Sequence, residues 1–154
     1  MMEIEKLPFM HRFQLMKAEL AKTEIRKTGW NKFKGYEYFE LSDILVPITE
    51  LCAKYEILET FAYEKDDNGE WYPTLYVHDA RGTSGDLIFK GLPGWSQPKT
   101  KVGEDLTNPI QNKGATITYD RRYLYLMAFS VVESDSVDGD KKQQRETVDE
   151  SIGF

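Results

Sequence analysis

The sequence predicts an α+β fold: an antiparallel three-stranded β-meander packed against helices, with an N-terminal helical part and a long C-terminal helix. Three observations carry this. Apolar residues recur at three- and four-residue steps in 9–27, in 41–55 and from 110 onward, which is the helical period. Loosely alternating runs fill 56–92. Those runs are parted by the turn signals "DDNGE" and "RGTSG", so the strands follow one another as hairpins.

Each element has its own signals. In "FMHRFQLMKAELAKTEIRK", 9–27, Phe9, Phe13, Met16, Leu20 and Ile25 share one face, and Gly29 reads as the stop. "WNKFKGYEYFE" then reads as a turn rich in rings and lysines. The second helix, Leu41 to Tyr55, has Ser42 as its expected N-cap and Ile44, Leu45, Ile48, Leu51 and Cys52 as its apolar face. Pro47 falls in its first turns, where a missing N–H is tolerated. "EILETFAYEK" and "WYPTLYVHDA" form the first two meander strands around the Asn-Gly tip, and Pro73 suits a strand start or an edge. "DLIFKGL" is the third strand.

From Pro93 to Pro109 the chain reads as a long loop, a length unusual without a function. The last helix follows, with Ile117, Leu124 and Ala128 as its core stripe. A single domain over 1–135 and a flexible acidic tail over 136–154 result.

Composition narrows the function. A chain of 154 residues with 40% hydrophobic and 30% charged residues can bury one real core. No apolar run approaches the roughly 20 residues a membrane helix needs. The acidic "MMEIEKLPFM" has no apolar core of a secretory signal. The lone Cys52 reads as a buried small hydrophobe in a reducing, cytoplasmic setting. Net charge is −6, but residues 133–154 hold seven acids and three bases, so the body is close to neutral. Between 22 and 34, Lys22, Arg26, Lys27, Lys32 and Lys34 face only Glu24. Local patches rather than total charge govern phosphate binding.

Catalytic chemistry finds little support. One Cys and two distant His residues make no zinc site, and the phosphate-loop and GxSxG motifs are absent. Gly82-Thr83-Ser84-Gly85 sits in a hairpin turn, where Gly and Ser belong for backbone reasons. Acid pairs such as Asp66/Asp67 and Glu104/Asp105, or Asp86 with Lys90, read as exposed turn and strand-end groups before they read as a metal-dependent nuclease. The expectation is a non-enzymatic protein without a cofactor.

Single-strand binding needs cations for phosphates and flat side chains for bases. Two segments supply both. "WNKFKGYEY" interleaves Trp30, Phe33, Tyr36 and Tyr38 with Lys32 and Lys34. In "NPIQNKGATITYDRRYLYLMAF", Lys113, Arg121 and Arg122 stand beside Tyr119, Tyr123 and Tyr125. Helical spacing gathers Gly114, Thr118, Arg121, Arg122 and Tyr125 on one polar side. A solvated face, with an arginine paired to Asp120 or Glu133, and a phosphate-binding surface both fit these residues. Trp95 beside Lys99 and Lys101 is a further candidate contact in the long loop.

Three blocks resemble the Erf family of phage single-strand annealing recombinases: "NKFKGYEYFELSDILVPITELCAKYEI" at 31–57, "NPIQNKGATITYDRRYLYLMAF" at 108–129 and "VESD" at 132–135. The second is the most specific, with Gln111, Gly114, Thr118, Tyr119, Arg121, Arg122 and Tyr123 at the family's offsets. The resemblance implies a core like that of the ring-forming eukaryotic annealing proteins. It implies ATP-independent annealing of complementary DNA strands by a homo-oligomeric ring or filament in a bacterial host cytoplasm. DNA contacts are then expected among Lys32, Lys34, Lys99, Lys101, Lys113, Arg121, Arg122, Tyr119, Tyr123 and Trp95. A passive single-strand binder and an inhibitory protein without DNA affinity are the other readings. The terminal "DESIGF" loosely resembles the tip with which bacterial single-strand-binding proteins recruit repair partners; it reads more readily as a disordered acidic tail screening the DNA site.

Overall fold

The computed structural model describes residues 3–82, 85–93 and 109–133, with side chains of the last segment from Lys113 onward. Trp95, Lys99, Lys101, the Gln111 side chain and the tail 136–154 lie outside the described residues. The described part is α+β, with three α-helices and two antiparallel sheets.

Helix α1, Phe9–Lys22, buries Phe9, Phe13, Met16 and Leu20, the stripe its sequence spacing predicts. It stops short of the expected Lys27. Thr23 turns extended, at φ −78° and ψ 127°, and its hydroxyl donates to the Glu19 carbonyl. Gly29 is therefore no helix stop. It opens strand β1, Gly29–Asn31, which pairs antiparallel with β2, Tyr36–Tyr38. The segment read as a turn is thus a hairpin. Its partner strand explains the glycine, because a Cβ at position 29 would overlap the Tyr38 ring.

Helix α2, Leu41–Lys54, is capped at Glu40 rather than Ser42. Asp43 accounts for the difference: its Oδ2 accepts the Glu40 N–H at 2.9 Å, and its carboxylate also takes the Thr28 N–H and hydroxyl. Pro47 lies inside the helix, beyond the first turn where its missing N–H would cost nothing. Burial holds the helix together there, since Ile44 and Ile48 flank the proline with no exposed surface. Each such side chain contributes roughly 1.5–3 kcal/mol. Cys52 is buried as expected, and desolvation pushes its thiol up to about 12.

Strands β3, Ile57–Lys65, β4, Trp71–Asp79, and β5, Leu87–Lys90, form the expected meander in the order β3-β4-β5. Pro73 lies within β4, the middle strand. Its carbonyl accepts the Gly91 N–H at 2.9 Å, just past the end of β5, and the return bond that proline cannot donate is given up only there, at the end of the β4–β5 ladder. Leu75 and Val77 on β4 and Ile57 on β3 face the helices. There they meet Phe13, Ile48 and, from helix α3, Pro109–Ala128, the side chains of Leu124, Tyr125 and Ala128. Phe13 packs edge-on against Phe129 just beyond α3, with centroids 5.8 Å apart.

One charge in this core is not visible as a pattern. Arg12 is 1% exposed and ties α1 to the sheet. It donates to the carbonyls of Leu7, Tyr55 and Glu56 and to Asp79 Oδ1 at 2.5 Å.

Candidate nucleic-acid interface

The two cation- and ring-bearing segments meet in space. Between the β1–β2 hairpin and α3 lies a groove of about 810 Å³. Trp30, Lys32, Phe33, Tyr36 and Tyr38 form the hairpin wall; Gly114, Ala115, Thr118, Tyr119, Arg122 and Tyr123 form the helix wall. The helix residues recur at three- and four-residue steps, so α3 turns one continuous stripe toward the hairpin.

The rings of both walls are open to a ligand. Exposure is 57% at Trp30, 100% at Phe33, 58% at Tyr119 and 46% at Tyr123. Tyr119 and Tyr123 lie 4.5 Å apart, tilted by 54°. A hydrogen bond with Tyr123, and after it burial, holds the Tyr119 hydroxyl above the ordinary phenol range. Lys32 reaches the groove, Lys34 is exposed on the hairpin loop, and Lys113 is exposed on α3. Glu40 also lines it, where it accepts from the Tyr38 hydroxyl at 2.9 Å and raises that phenol.

Arg122 forms the groove floor and is 9% exposed. Its Nη1 donates to the Phe39 carbonyl at 3.0 Å and to Glu133 at 3.0 and 3.1 Å. Its guanidinium lies 5.1 Å from the Tyr38 ring and 4.6 Å from the Tyr123 ring. Glu133 also accepts the Phe39 N–H at 2.6 Å. The Arg122–Glu133 pair considered for a solvated face therefore exists, but as a nearly buried one.

Arg121 turns the other way, toward the meander. It lies 5.8 Å from the Phe61 ring and 5.2 Å from the Tyr125 ring, and its Nη2 donates to the Tyr125 hydroxyl at 3.2 Å. The Tyr125 hydroxyl in turn donates to Glu59, and the Tyr63 hydroxyl donates to Asp120 at 2.8 Å. Burial first, then these carboxylates, pushes both phenols upward. The expected polar side of α3 is thus divided. Tyr125 has no exposed surface, whereas Ile117, expected in the core, is 38% exposed. The helix lies across the sheet so that 121 and 125 meet β3, which leaves 117 outside.

Two contributions escaped the sequence reading. Trp30 and Phe33 were visible as rings, but their exposure depends on the hairpin. Glu59, Phe61 and Tyr63 alternate along β3 with a period of two, a signal that could have marked the wall facing Arg121. Among the described residues, no group of three or more His, Cys, Asp and Glu side chains is placed to hold a metal ion, and no helix is long and apolar enough to cross a membrane.

An α+β domain with a ring-lined groove that Lys32 reaches belongs to the class of candidate nucleic-acid-binding proteins. Its family is more specific: the ERF superfamily model matches residues 12–151, and the chain belongs to that superfamily. It is thereby a protein of the phage recombination and annealing type. No curated protein and no solved structure matches it.

Proposed function

We propose that the chain binds single-stranded DNA in the groove between the hairpin and α3 and anneals complementary strands without ATP, as an oligomer in the host cytoplasm. The observation that carries this reading is the convergence of two distant segments, each with cations and rings, on one groove. Lys32, Lys34 and Lys113 would neutralise phosphates. Tyr119 and Tyr123 would stack on base faces and leave the pairing edges free for a second strand. Arg122 would be the floor and Arg121 a brace behind it. Lys99, Lys101 and Trp95, outside the described residues, remain proposed contacts. In this reading α3 is the closing helix of the domain and 136–154 is a tail for recombination partners.

No catalytic centre is needed. Duplex stacking supplies about 1.4 kcal/mol per base-pair step, so pairing runs downhill once strands are held extended and in register. An oligomer sets many grooves in series, and a moderate hold at each lets the pairing strand leave.

The test is fluorescence-monitored annealing of two complementary oligonucleotides, with and without ATP, alongside sedimentation of the protein. Faster pairing without nucleotide and a multimeric species are expected. Slowed pairing would identify a passive single-strand binder, and magnesium-dependent loss of labelled DNA a nuclease.

A further inference from the structure

The tip of the β1–β2 hairpin carries an unusual arrangement. Phe33 is 100% exposed, so among the described residues nothing covers either face of its ring. A ring so placed gains nothing from the hydrophobic core, yet its backbone is held firmly. Asn31 Oδ1 accepts the Phe33 N–H at 3.0 Å and the Lys34 N–H at 3.1 Å. Asn31 Nδ2 donates to the Tyr36 hydroxyl at 3.3 Å, and the Gly35 N–H donates to the Asn31 carbonyl at 2.8 Å. Gly35, at φ +67°, closes the turn in a conformation that favours glycine. The Asn31 side chain thus organises the tip before any ligand arrives.

Resting on the groove reading above, we infer that Phe33 is a wedge that inserts between neighbouring bases of the bound single strand. Three features select that occupant. Both ring faces are open, so a base can stack on each, whereas Tyr119 and Tyr123 partly cover one another. Lys32 and Lys34 flank the ring and match the phosphates on either side of a base step. Phe33 also lines the groove, so the wedge and the stacking wall of α3 act on the same strand. An apolar side chain inserted between bases unstacks them. Here that would break the strand's own stacking and present its bases singly for pairing. The ordered turn lowers the entropic cost of binding.

The experiment compares the full chain with Phe33→Ala and Phe33→Trp on a mixed-sequence oligonucleotide carrying 2-aminopurine, and on an abasic strand of the same length. Phe33→Ala is expected to weaken binding to the normal strand by about 5- to 150-fold, the range of one lost base–aromatic contact. Its salt slope should stay unchanged, and binding to the abasic strand should equal that of the parent chain. 2-Aminopurine fluorescence should rise less than with the parent, and Phe33→Trp should restore affinity. Equal affinity for the normal strand, or an equal loss on the abasic strand, overturns the wedge. A change in sedimentation of Phe33→Ala without DNA also overturns it and assigns the ring to a contact between copies. Should the parent chain bind neither strand, the groove reading itself fails.

Discussion

Arg122 and Glu133, eleven residues apart, meet at 3.0 Å and between them hold both backbone polar groups of Phe39. The pair locks the end of α3 to the junction of β2 and α2. It also neutralises the groove floor, so under the proposed function the charge offered to DNA comes from the lysines. Side-chain exposure is only 10% and 19%, so removing one partner strands the other charge. Glu133→Ala is expected to cost about 3 kcal/mol, the lower end for a broken buried pair. Urea unfolding would measure it, with a fall in Tm of roughly 6–12 °C. A loss below about 0.5 kcal/mol, the ordinary surface scatter, would refute the lock.

The lysines and the arginines should separate in salt titrations. Each phosphate contact on a single strand contributes about 0.7 to the slope of log K against log salt. Replacing Lys32, Lys34 and Lys113 together by Gln should lower the slope by about 2 if each holds one phosphate. Arg121→Ala should leave the slope unchanged and reduce stability, because Arg121 lies against Phe61 and Tyr125. Anisotropy titrations across salt check both. A triple variant with the parent slope would remove the lysines from the interface, and a reduced slope in Arg121→Ala would put that arginine on DNA.

What the sequence made legible follows from the range of each signal. The stripe of α1 and the meander rest on periods of about 3.6 and two within one segment, so they could be read directly. The β1–β2 hairpin could not, because three-residue strands show no alternation, and the need for Gly29 comes from Tyr38 across the ladder. The convergence of both cation- and ring-bearing segments on one groove required the third dimension. So did the divergence of Arg121 and Arg122. Adjacent helical positions differ by about 100° around the axis, and sequence does not say which wall lies at each angle. Arg12 stands three residues after Phe9 and four before Met16, beside the buried stripe, but its charge gives no sign of burial until Asp79 is placed beside it.

Alkaline pH should expose the tyrosines that staple the fold. Tyr55 is pushed up to about 12, first by its hydrogen bond to Glu19 and then by burial, and Tyr63 and Tyr125 are pushed higher still, first by burial. Folding therefore favours the protonated phenols. The unfolded chain releases these protons near pH 10 while the folded one retains them, so this stability is whole below pH 10 and falls as pH rises beyond it. Phenolate absorbance should show a phase coincident with loss of helical circular dichroism. Smooth titration of all nine tyrosines with the fold intact would contradict the staples.

Gly114 offers a test of whether α3 meets DNA through its backbone. Among the described residues a Cβ at this position would meet nothing within 4 Å, and its φ is not in the left-handed range, so they give no packing reason for glycine there. Within a helix, Gly is about 0.8–1 kcal/mol less favourable than Ala. Gly114→Ala should therefore stabilise the protein by about that amount, read from urea unfolding. Gly29→Ala should instead destabilise by about 1–3 kcal/mol, since its Cβ must displace the Tyr38 ring that flanks Arg122. The informative outcome is affinity. If Gly114 is kept bare so that a strand can approach the helix wall closely, Gly114→Ala will be more stable and bind an oligonucleotide more weakly. A gain in stability with unchanged affinity would exclude that approach and leave Tyr119 and Tyr123 as the contacts of that wall.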